Sequence, residues 1–278
     1  MKVQIIGEIG INHNGSIDLC KKIIDAAVLA GCDYVKFQKR NPDVCVPEHQ
    51  KSIMRDTPWG RITYLEYKYK LEFGKKEYDV IDAYCKEKGI GWFASVWDKD
   101  SVDFMCQYND ISKIPSALIT DTELCEYARE KFSKLLISTG MSTQKEIDVA
   151  IQTSKPDVVF HTNSTYPSPI SELNLNYINW LQECNYGSQT PGFDVGYSGH
   201  EYGLTPTFAA VALGATWIER HVTLARTMWG SDQMASVEPI GMMKLINGIR
   251  DIESALGTSG PREVLGSELS KRKSLRGN

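Results

Sequence analysis

Eight short runs rich in β-branched and aromatic residues alternate along this chain with segments of helical periodicity, and no other feature constrains its fold as much. The runs cover residues 3–6, 34–37, 90–94, 111–114, 135–137, 158–160, 193–196 and 217–219. Between the first two, Cys20, Ile23, Ile24 and Ala27 form the apolar face of a helix over residues 17–30, with Ser16 as N-cap and Gly31 just past its end. Thr143 and Glu146 have the spacing of a capping box for the fifth helix, while Thr205 and Pro206 open the seventh and Gly214 closes it. Residues 26–35 read like residues 209–218, as if one helix-to-strand unit had been used twice. Parallel strands need right-handed helical crossovers, and eight such units in about 250 residues fill a TIM-type (β/α)₈ barrel. A doubly wound open sheet is the runner-up, but no GxGxxG turn follows the first run. The barrel is expected over residues 1–256, closed by a last helix over 238–256. Residues 257–278, with Pro261 near their start, are expected as a polar, basic tail or a truncated linker.

A chain of 278 residues, 42% hydrophobic and 24% charged, can bury a core of that size. Its net charge of −4, with both signs interspersed, leaves no basic stripe for nucleic acid, so an anionic ligand must be held by a few local cations. No run approaches the ~20 apolar residues of a membrane span, and the apolar stretch over residues 1–10 is too short for a secretory signal. A cytoplasmic location is expected. The 7 cysteines are odd in number and lack CxxC spacing, as expected of buried thiols and not of a disulfide framework.

In a (β/α)₈ barrel catalysis collects at the C-terminal ends of the strands, and here every strand end carries a polar group. In order these are Glu8, then Lys36 and Gln38, then Ser95. Lys113 and Ser116 follow, then Ser138 with Thr139, and Ser164 with Tyr166. Ser198 with His200, and finally His221, complete the circuit. Small hydroxyls with two lysines among them are what a phosphate or carboxylate pocket requires, although any single serine could equally cap a helix. His200 and His221 lie one strand–helix unit apart and would end adjacent strands at one mouth. Without a cysteine beside them they would suit an open site for Mn²⁺ or Mg²⁺, the alternative being two hydrogen-bonded side chains. His49 is expected on a loop, His161 at the end of strand six and His13 in a turn. The insertion over residues 39–75, with Trp59, Tyr64, Tyr67 and Tyr69, reads as a lid or binding wall, or as an interface with a neighbouring subunit.

Six runs carry a resemblance to a known family: Glu8-Ile9-Gly10-Ile11-Asn12-His13-Asn14-Gly15, Val35-Lys36-Phe37-Gln38, Ile137-Ser138-Thr139-Gly140-Met141, Thr165-Tyr166-Pro167, Gly196-Tyr197-Ser198-Gly199-His200 and Ile218-Glu219-Arg220-His221-Val222-Thr223-Leu224. In this order they resemble the sialic acid synthase (N-acetylneuraminate synthase) family, which includes the legionaminic and pseudaminic acid synthases. The resemblance implies metal ligation by His200 and His221. It implies that Lys36, Ser95, Lys113, Ser116, Ser138, Ser164 and Ser198 surround phosphoenolpyruvate, and that Glu8, Gln38, Tyr166 and Asp232 approach the amino sugar and the reacting centre. It assigns no role to His13. The implied reaction joins phosphoenolpyruvate to an N-acetylated amino-sugar aldehyde and releases phosphate, with a divalent metal, in a homodimer. Lys36, Lys113, Glu8 and Asp232 are then the candidate catalytic residues.

Three departures stand out. Where relatives read Lys-Ile-Gly-Ser-Gly-Glu, this chain has Lys113-Ile114-Pro115-Ser116-Ala117-Leu118, so a carboxylate near the sugar is expected to be missing. Gly199 stands where Asp is common, which is expected to remove a partner of the metal site. The antifreeze-like domain that covers the site in many relatives has no counterpart before Asn278, so a more open mouth, or a lid from the long insertion or from a separate protein, is expected. Two rival readings remain: a Schiff-base pyruvate aldolase, which would need a lysine on strand six, and a noncatalytic sugar-binding or assembly subunit.

Overall fold

The computed structural model of the chain describes residues 2–186 and 192–277. Eight strands, β1 (Gln4–Gly10), β2 (Tyr34–Lys39), β3 (Gly91–Val96), β4 (Ile111–Ile114), β5 (Lys134–Ser138), β6 (Val158–Thr162), β7 (Asp194–Gly199) and β8 (Trp217–His221), form a closed barrel. Every neighbouring pair is parallel, and β8 closes on β1 with His221 opposite Glu8. The chain is therefore a (β/α)₈ barrel.

Alternation along the strands sorts the side chains. On β8, Ile218 packs in the main core among the helices, whereas Trp217 joins Ile6, Phe93, Ile111, Leu136, Val158 and Phe160 in a separate apolar cluster inside the tube. One step higher, the same inward rows carry Glu8, Lys36, Lys113, Ser138 and Glu219, all buried. The apolar pattern of the sequence stops at this level. That is why the strands run past their expected ends: β1 continues from residue 6 to Gly10, β7 to Gly199 and β8 to His221.

The expected caps are in place. Ser16 accepts from the Leu19 N–H, Thr143 and Glu146 bond reciprocally, and Gly31 adopts φ 93° past its helix. The repeated segment has a matching geometry, since Gly214 also breaks into a strand, with φ 97°. The helix Pro239–Leu256 buries Met242, Leu245, Ile246 and Ile249 and packs on the helix Ile17–Ala30. Beyond it the chain is exposed, with a short helix at Leu269–Arg276.

The long insertion is more ordered than its composition suggests. It holds the short helices Pro42–Cys45 and Glu48–Lys51, an antiparallel hairpin of Met54–Thr57 with Gly60–Thr63, and a helix over Tyr64–Leu71 started by a Thr63–Glu66 capping box. Trp59 and Tyr67 meet Trp229 of the loop after β8 edge-on, at 5.8 and 5.4 Å between ring centroids. The insertion thus folds onto the rim beside the mouth. Among the described residues all 7 cysteines are free, with Cys20, Cys85 and Cys125 buried, and no helix is long and apolar enough to cross a membrane.

Candidate active site

At the top of the tube four buried charges form a chain. Lys36 Nζ lies 2.8 Å from Glu8 Oε2 and 3.7 Å from Glu219 Oε1, and Lys113 Nζ lies 2.9 Å from Glu219 Oε2. Gln38 donates to Glu8 Oε1 at 3.0 Å, and Ser198 donates to Glu219 Oε1 at 3.3 Å. Burial raises the Glu8 carboxyl above the usual range, against the pull of Lys36. Burial also opposes the Glu219 charge, but Lys113 and Lys36 overcome it and hold Glu219 at about 2. The lysines differ in the same way. Burial disfavours both ammonium groups, but Glu219 and Glu8 together hold Lys36 above its ordinary value, whereas Lys113, also repelled by Lys36, drops to about 8.

Hydroxyls surround this chain of charges. Ser116 Oγ accepts from the Gly140 N–H at 3.1 Å, and a Cβ at Gly140 would lie 2.2 Å from Ser164 Oγ and 2.9 Å from Ser116 Oγ. Only glycine lets the backbone after β5 approach these two serines. Ser95, Ser138, Ser164 and Ser198 line one cavity of about 230 Å³ together with Lys36, Lys113 and Gln38, and Trp97, Pro115, Ala117 and Met141 form its apolar wall. A larger cavity of about 560 Å³ lies outside the tube beside Arg220 and Glu238. The charges and hydroxyls converge in the smaller one.

His200 and His221 face each other across this mouth, ring centroids 5.5 Å apart. His200 Nδ1 is 2.7 Å from the Asn163 carbonyl, and since a carbonyl only accepts, Nδ1 carries the proton and Nε2 keeps its lone pair. Burial, then His221, lowers His200 to about 3, so the ring is neutral. His221 Nδ1 is buried without a hydrogen bond, 4.0 Å from Asp232 Oδ2. The Tyr166 ring lies 4.0 Å from His200. Among the described residues no group of three or more His, Cys, Asp or Glu side chains gathers around one point.

The chain matches the NeuB family over residues 23–260. It belongs to that family. It is 35% identical to the N-acetylneuraminate-9-phosphate synthase of Mus musculus, over 98% of this chain and 76% of that protein. It is 34% identical to the N,N'-diacetyllegionaminic acid synthase of Campylobacter jejuni, over 92% and 78%. A solved N-acetylneuraminic acid synthetase of Leptospira borgpetersenii, in complex with citrate, superimposes with a TM-score of 0.85 at 31% identity, over 99% of this chain and 93% of that one.

The structure brings the expected site residues to this cavity except Asp232, which stands beside His221 outside its wall, and the strand-end Thr139, whose buried hydroxyl donates to the Phe160 carbonyl. Two of the departures can be placed. Gly199 faces out of the tube, and a Cβ there would lie 2.6 Å from Glu201 Oε2, so the Glu201 carboxylate fills the space a side chain at 199 would take. Leu118 turns to the core and packs there, leaving Ala117 at the mouth. Of the other histidines, His13 stacks on Phe73 at 4.0 Å and accepts from the Gly15 N–H, as a turn residue, and His161 bonds the Leu173 carbonyl outside the tube. His49 is exposed on the short helix Glu48–Lys51. Sequence reasoning passed over Glu219, the carboxylate shared by both lysines. Its signal was present: two residues before His221 on a strand, it must share that face.

Proposed function

We propose that the mouth joins the methylene carbon of phosphoenolpyruvate to the aldehyde carbon of an open-chain, N-acetylated amino sugar and releases inorganic phosphate. The observation that carries this reading is one cavity in which two ammonium groups and five serines face two imidazoles. Lys36 and Lys113 hold the phosphate and carboxylate, with Ser95, Ser138, Ser164 and Ser198 as short donors that leave the ligand room. Ser116 joins these donors, and Tyr166 borders the sugar side. As the new C–C bond forms, the aldehyde π pair moves to its oxygen, which takes a proton. Water adds to the cationic carbon, the bond to phosphate oxygen breaks, and a carbonyl remains, so one water is consumed per phosphate released. Glu8, whose burial favours the protonated form, is the group we assign to proton transfer there, with Gln38 fixing its carboxylate.

His200 Nε2 and the orphaned ring of His221 fit an open cation site, and Mn²⁺ or Mg²⁺ suits such a donor set. When bound, such a cation supplies Lewis-acid polarisation of the aldehyde oxygen. Asp232 would orient His221 from behind. We assign the assembly as a homodimer whose mouth is covered by the 39–75 segment or by a separate protein, which light scattering and chemical crosslinking check.

The deciding experiment is phosphate release from phosphoenolpyruvate with Mn²⁺ and a panel of N-acetylated amino sugars, read by product mass. Release that requires both substrates supports the reading, and His221→Ala should abolish it while leaving the fold intact. Inertness with every sugar, together with tight metal-free sugar binding, would favour the noncatalytic subunit. Lys113, with a pKa of about 8, is the residue a Schiff-base aldolase would use, although strand six carries no lysine. A stable adduct after borohydride and pyruvate would establish that alternative.

A further inference from the structure

We propose that Glu201 and Arg220 form a clamp that sets the distance between His200 and His221. The proposal rests on the reading of the two imidazoles as a cation site.

Arg220 lies between the inward-facing Glu219 and His221 and therefore points outward, yet it is 1% exposed. Its guanidinium reaches Glu201 Oε1 and Thr207 Oγ1, each at 2.8 Å, and the carbonyls of Glu201 and Gly203 at 2.7 and 3.1 Å. Glu201, 0% exposed along its side chain, also accepts from Tyr197 at 2.9 Å and Thr207 at 3.2 Å. The β7–β8 ladder ends at the pair Gly199–Arg220. Past that pair no ladder hydrogen bond ties His200 to His221. The guanidinium takes over at this point, gripping both the side chain and the backbone that follow His200 from the residue that precedes His221.

The position of the carboxylate depends on Gly199. A Cβ there would sit 2.6 and 3.0 Å from the two Glu201 oxygens and 2.8 Å from the Tyr197 ring. A side chain at 199 and this Glu201 conformation exclude each other, so the clamp needs glycine there. A buried guanidinium without a carboxylate is strongly unfavourable, so the Glu201 charge is required where it stands.

The test measures Mn²⁺ binding by electron paramagnetic resonance on the whole protein, beside thermal melting. Glu201→Gln keeps the shape and loses the charge, and Mn²⁺ affinity should fall about 10- to 100-fold at a temperature where the variant is folded. Gly199→Ala, which pushes a methyl group against the Glu201 oxygens, should melt lower than wild type and bind Mn²⁺ more weakly. A lower melting temperature with unchanged Mn²⁺ affinity in folded Glu201→Gln would overturn the clamp and leave a merely structural ion pair. Wild-type protein that holds no Mn²⁺ would overturn the cation site itself, and the clamp with it.

Discussion

Trp217 and His221 are four positions apart on one strand, both facing into the tube, yet they belong to regions built on different physics. Around Trp217 the tube is filled by Ile6, Phe93, Leu136, Val158 and Phe160, which need no partners beyond van der Waals contact. Around Glu219 the buried lysines and Ser198 are charged or polar, and each depends on a particular neighbour. A packed floor tolerates the exchange of one apolar residue for another of similar size. A ring of paired charges does not, because removing one member strands the next in a medium that cannot solvate it. The barrel thus holds its shape from below and keeps its reactive groups above, and the two regions should respond differently to the same kinds of change.

The largest difference is expected at Glu219. Glu219→Ala leaves Lys113 without its carboxylate and should lower stability by about 3–5 kcal/mol. Guanidinium titration measures this, and inorganic phosphate should raise the melting temperature of the variant more than that of wild type by replacing the lost anion. Because Glu219 is held at about 2, below its ordinary 4.5, its contribution is complete above about pH 4.5 and is lost as pH falls toward 2. The gap between wild type and variant should close over that interval. Equal stability at neutral pH would mean that the lysines do not need this carboxylate.

Leu136→Ala tests the floor. Its loss should be about 2–5 kcal/mol, and it should leave phosphoenolpyruvate affinity unchanged as measured by calorimetry. A comparable loss of affinity would show that the floor shapes the site directly and would erase the distinction between the two regions. Leu136→Met should cost about 1.5 kcal/mol or less, a tolerance with no equivalent in the charged layer.

The floor was also the region legible in the sequence. The eight apolar runs located every strand of the barrel because burial on both faces leaves a plain hydropathy signal, and Gly31 and Gly214 marked where helices had to stop. The charged layer was legible as a set of residue types at strand ends, which is why Lys36, Lys113, His200 and His221 could be named. Their partners could not. That Lys36 is shared between Glu8 and Glu219 depends on the stagger of strands around the tube, and that Glu201 folds back over Gly199 depends on a side-chain path that no periodicity records. The hairpin within the insertion was missed for a local reason: its two short strands are largely exposed and lack apolar alternation.

Lys113→Ala should weaken phosphoenolpyruvate binding by about 10- to 100-fold, the value of one or two charge-assisted hydrogen bonds. Its effect on stability should be smaller than that of Glu219→Ala, since Glu219 keeps Lys36 nearby. Calorimetry gives the affinity, and an unchanged value would remove Lys113 from the ligand site.

The smallest effect separates the two lysines from each other. Burial holds Lys113 at about 8, below its ordinary 10.5, so the folded protein takes up this charge reluctantly: the stability linked to it is present above 10.5 and is lost as pH falls through 8. An anion placed beside the ammonium reverses that preference. At pH 8.5, where roughly three-quarters of Lys113 is neutral before binding, phosphoenolpyruvate should draw in a comparable fraction of a proton, against about a tenth at pH 7.0. Calorimetry in buffers of different ionisation enthalpy reads this as a slope that grows with pH and disappears in Lys113→Met. Lys36, held above its ordinary value by two carboxylates, stays charged throughout and contributes no slope. A flat response at pH 8.5 would mean that Glu219 keeps Lys113 fully charged as well, and the charged layer would then meet its ligand as a fixed array and not as one that completes its charge on binding.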